Sequence, residues 1–78
     1  MKTGARLKSF LKERGFKQTA VARGIGMKPK AFNMILNGYA DLKADTLVEV
    51  FRFTETRPEA FFNHEAEKVQ TEMENALA

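Results

Sequence analysis

Four side chains within one short stretch, Lys30, Asn33, Met34 and Asn37, have the types and spacing to meet the edges of nucleic-acid bases. Steps of three and four residues place them on one side of a helix that turns about 100° per residue, with Phe32 and Ile35 on the other side. A lysine donates to guanine O6 and N7, an asparagine pairs with adenine N6 and N7, and a methionine touches a thymine methyl. Asn37, and Gln18 upstream, fall at helix ends, where amide donors reach phosphate oxygens. Asn37 also fits a helix C-cap, and one side chain can serve in both ways.

Glycine and proline divide the chain into the pieces that must carry these groups. The first helix is expected over residues 4–14, with Thr3 as N-cap and Gly15 as its stop. Leu7, Phe10 and Leu11 form its inward stripe. The second covers residues 18–24, with Val21, Ala22 and then Ile25 apolar. Gly26 supplies the positive φ of a tight turn between helices. Pro29, tolerated at a first helical position, opens the third helix, which ends near Asn37 and Gly38. The fourth spans residues 45–53, with Leu47, Val48, Val50 and Phe51 in the core. Thr56, Arg57, Pro58 and Glu59 read as a capping box that starts a fifth helix, which stops near Phe62 or continues toward Leu77. No segment alternates in the period of a strand. The class is all-α: a five-helix bundle over residues 1–62 followed by an acidic helical tail over 63–78. A short turn between the second and third helices is the helix-turn-helix arrangement, whose second helix enters the DNA major groove.

The chain has 78 residues, no Cys and a single His, and its formal net charge is +3. That length fits one domain and leaves a thin core, so support from a second subunit is expected. Without cysteine there is no disulfide, and His64 alone does not make a metal site. The expectation is no cofactor and no enzymatic activity, because there is no nucleophile–base pair and no phosphate-binding glycine loop. No apolar run suggests a secretory leader or a membrane span, so a soluble, cytoplasmic protein without membrane contact is expected. The net charge hides a gradient. Residues 1–57 hold 12 Lys/Arg against 5 Asp/Glu, a net +7, while residues 58–78 hold Lys68 against Glu59, Glu65, Glu67, Glu72 and Glu74, a net −4. The basic body calls for an anionic partner. Lys17, Arg23, Lys43 and Arg52 add to its field.

The run from Gly15 through Gln18, Ala22 and Gly26 to Ile35, Asn37 and Gly38 resembles the Cro/phage-repressor (xenobiotic-response-element type) helix-turn-helix family. Ala44, Asp45, Thr46 and Leu47, then Pro58, Glu59, Ala60 and Phe61, extend the likeness over residues 5–62. The resemblance implies a lambda-repressor-like five-helix bundle that binds double-stranded operator DNA as a homodimer. It assigns Gln18 to a phosphate, Pro29, Lys30 and Met34 (with Asn33 adjacent) to base-reading positions, and Lys28, Asn37 and the residues after Gly38, hence Tyr39, to the DNA backbone. Lys17 and Lys43 complete the expected DNA-contacting set. Some residues depart from the family pattern. Lys28 stands where a Ser or Thr cap is frequent, and Pro29 has no side-chain donor. Leu11 and Leu36 replace an Arg–Glu pair, a joint change that need not cost stability. Thr54 replaces a large aliphatic residue, and Phe51 and Phe53 replace smaller ones.

The tail admits two readings. Phe62, Ala66, Val69, Met73 and Ala76 recur at the 4-3-4-3 spacing of a heptad seam, short for a coiled coil. It is either a dimer helix or a segment that folds back or frays. The alternative function is an antitoxin that represses its own operon and whose acidic tail binds a toxin protein.

Overall fold

The computed structural model describes residues 3–77, and the side chains of all of these except 64–72 and 77. Five helices form among the described residues: α1 (Thr3–Glu13), α2 (Gln18–Gly24), α3 (Pro29–Leu36), α4 (Ala44–Phe53) and α5 (Pro58–Leu77). The class is all-α, as the sequence predicts.

The first four helices stop in the same way. Just after α1, the Phe16 N–H donates to the Leu11 carbonyl at 2.9 Å and the Gly15 N–H to Lys12 at 3.1 Å. The same pair of bonds recurs at Gly26, Gly38 and Glu55. This termination requires a left-handed residue. Three of the four are glycines, but the fourth is Glu55, at φ 51°, where a side chain costs about 1–2 kcal/mol.

Each helix contributes to one core. Leu7, Phe10 and Leu11 come from α1, Val21 and Ala22 from α2, Phe32 and Leu36 from α3, Val50 and Phe51 from α4, and Phe61 from α5. Phe61 meets Phe10 edge-on at 5.3 Å and lies 5.7 Å from Phe51, which anchors the first turns of α5 to the bundle. Leu11 and Leu36 are both buried, as apolar partners should be. Helix α3 packs on α1 and on α2.

Some local expectations fail for identifiable reasons. Thr3 is itself helical and so is not the N-cap of α1. Val48 is 45% exposed rather than buried. The buried sector of α4 centres on Leu47, between Val50 and Phe51, and Val48 is about 100° away from it. Thr56 forms no capping box. It is buried two residues before α5, and its hydroxyl pairs with that of Thr54 at 2.8 Å. Thr54 also donates to the Val50 carbonyl at 2.8 Å, which explains how a threonine occupies an apolar position. Phe53 stays half exposed and lies across Gly24, where a Cβ would collide with its ring.

Gly4 sets the approach of α1 to α3. A Cβ at this position would overlap the carbonyl oxygen of Ile35, a backbone atom held in α3. Gly4→Ala is therefore expected to cost about 1–3 kcal/mol through overpacking, despite the up to ~1 kcal/mol that alanine gains in a helix. Thermal unfolding measures this, and an unchanged Tm would contradict the close crossing.

Candidate nucleic-acid interface

Helix α2 ends at Gly24, and after four intervening residues Pro29 begins α3. Between them Gly26 takes φ +75°, and the Met27 N–H donates to the Ala22 carbonyl at 2.9 Å. Lys28 is the N-cap of α3 in an extended conformation, but its side chain makes no cap hydrogen bond. Pro29 has no N–H to leave unpaired. The first turn of α3 carries no acidic residue of its own to offset the positive end of the helix dipole.

A lysine also precedes two neighbouring helices. Lys17 is the N-cap of α2 and Lys43 the N-cap of α4, each without a side-chain cap bond. Serine, threonine, aspartate or asparagine at an N-cap is worth about 1 kcal/mol over residues that cannot accept. Lys28→Ser is accordingly expected to raise folding stability by about 1 kcal/mol. Urea denaturation reads that gain, and no gain would mean that the start of α3 is already satisfied.

Helix α3 has a dry side and a wet side. Phe32, Ile35 and Leu36 are buried, while Lys30, Asn33 and Met34 are exposed, as is Asn37 just after the helix. Met34 is 41% exposed, a large apolar side chain facing outward. Beside it runs a groove of about 360 Å³ lined by Met27, Ala31, Ala40, Lys43 and Thr46 among others. Gln18 opens α2 half-buried, and Pro29 is half-buried. Tyr39 follows Gly38, whose φ is +83°, and is 80% exposed.

Asn37 is the C-cap of α3, and its side chain already has partners. Its Nδ2 donates to the Asn33 carbonyl at 2.9 Å, and its Oδ1 accepts from the Lys8 ammonium at 2.7 Å. Sequence reasoning missed Lys8, which lies 29 residues away on α1. No local spacing could have found it.

The model of the helix-turn-helix family matches residues 7–61 of the chain. No curated protein and no solved structure matched it. Among the described residues, no helix is long and apolar enough to cross a membrane.

Proposed function

The chain belongs to the Cro/phage-repressor (xenobiotic-response-element type) helix-turn-helix family, a family of DNA-binding regulatory domains and not of enzymes, and on that premise we propose that it represses transcription by binding a specific operator as a homodimer. One observation carries this reading: α3 buries Phe32, Ile35 and Leu36 and leaves Lys30, Asn33 and Met34 in solvent. Laid in the major groove, that outer face offers a cation to guanine, an amide to adenine and a thioether to a thymine methyl. Pro29 contributes shape rather than a hydrogen bond. Gln18, Lys28 and Tyr39, with Lys17 and Lys43, hold the backbone and fix register, while the net +7 of residues 1–57 draws the domain to the duplex.

Helix α5 supplies the second subunit's contact. It runs unbroken past residue 62, and Phe62, Met73 and Ala76 of the heptad set are exposed. The side chains of Ala66 and Val69 lie outside the described residues. A two-fold dimer reads half-sites about 34 Å apart. The net −4 of residues 58–78 favours a second reading, an antitoxin that holds a toxin protein on α5 and represses its own operon. A toxin-like gene adjacent to this one would decide for it.

Random-site selection followed by salt titration tests the proposal. The expected product is a near-palindromic site with half-sites one helical turn apart and an affinity that falls steeply with salt. Flat enrichment would overturn it.

A further inference from the structure

The polar groups at the end of α3 are divided between two side chains. Asn37 has its carbonyl oxygen on Lys8 and one amide hydrogen on the Asn33 carbonyl, so a single N–H remains to it. The exposed Lys8 ammonium uses one hydrogen on Asn37 and keeps two. Lys8 is fixed by more than that bond. The last turn of α3 contains no basic residue, so the cation brought over from α1 answers the negative end of that helix.

Beside Lys8 lies a groove of about 180 Å³. Lys8, Lys12 and Gln18 supply its donors, and Leu11, Phe16 and Leu36 its apolar lining. Leu11 and Leu36 are buried and give the groove an apolar floor, while the exposed Lys8 and Lys12 stand at its rim. Three donors from two helices, two of them cationic, suit an oxyanion with several acceptor oxygens.

We propose that this groove seats one phosphate of the bound duplex, with Lys8 as the principal donor assisted by Lys12 and Gln18, and that Asn37 acts as a positioning residue for Lys8. This rests on the DNA-binding reading above. It moves the backbone contact at this corner from Asn37 to α1, which extends the footprint beyond the two helices of the motif.

Lys8→Gln separates charge from positioning, because glutamine keeps a donor for the Asn37 oxygen and removes the cation. Affinity for the selected operator and for random duplex would be measured across a salt series, alongside Tm. The expected result is a several-fold loss on both duplexes, with the slope of log K against log salt shallower by about 0.9, the release from one phosphate. Lys8→Arg should restore the slope, and Lys12→Gln should shift it in the same direction. If Lys8→Gln does not fold, Lys12→Gln and Lys8→Arg carry the test. An unchanged slope with a lowered Tm would make Lys8 a cap for α3 only and overturn the proposal. If the parent protein shows no salt-dependent binding to any duplex, the DNA-binding reading falls first, and the two failures are distinct.

Discussion

Phe32→Ala is expected to remove about 3–5 kcal/mol of folding stability. Phe32 is fully buried on the inner side of α3, in a cluster that draws on all five helices. Truncation leaves a cavity that α1 and α2, both packed on α3, cannot close without moving that helix. A chain of 78 residues has about 4–12 kcal/mol in total, at roughly 0.05–0.15 kcal/mol per residue. The loss is therefore a large share of the whole, and Tm should fall by more than about 12 °C. Urea denaturation followed by helical circular dichroism measures it. A loss below about 1 kcal/mol, typical of surface positions, would contradict the packing of α3.

Lys30→Ala is the complementary case, with a large effect on binding and almost none on folding. Lys30 is exposed in the first turn of α3 and has no described hydrogen-bond or salt-bridge partner. A side-chain pair with a guanine discriminates by about 1–3 kcal/mol, which is roughly fivefold to 150-fold in affinity. The loss should appear on the selected operator and shrink on duplexes changed at the contacted base. Fluorescence anisotropy on both duplexes measures it. An equal loss on every sequence would make Lys30 a phosphate contact instead.

Much of the fold is legible because its signals are local. Gly15, Gly26 and Gly38 mark helix ends by the left-handed conformation that each adopts, and Pro29 marks a helix start. The spacing of Phe32 and Ile35 correctly orients α3. The fourth helix ends at Phe53, as expected from the sequence, although Glu55 and not a glycine takes the left-handed position after it. Thr56 misled because the Ser/Thr-x-x-Glu pattern does not reveal that its hydroxyl turns inward to Thr54. Val48 misled because it was grouped with Leu47, Val50 and Phe51, although the helix presents only one sector to the core and Val48 lies outside it. Lys8 was invisible for another reason: its role arises from the α1–α3 crossing at Gly4, a tertiary contact.

The central claim is that the outer face of α3 reads base edges, and repeating random-site selection with Asn33→Ala tests it most directly. The variant is expected to enrich the same site with preference lost at one adenine in each half-site, while the other positions and the half-site spacing stay fixed. Identical base preferences from parent and variant, at every position, would contradict it.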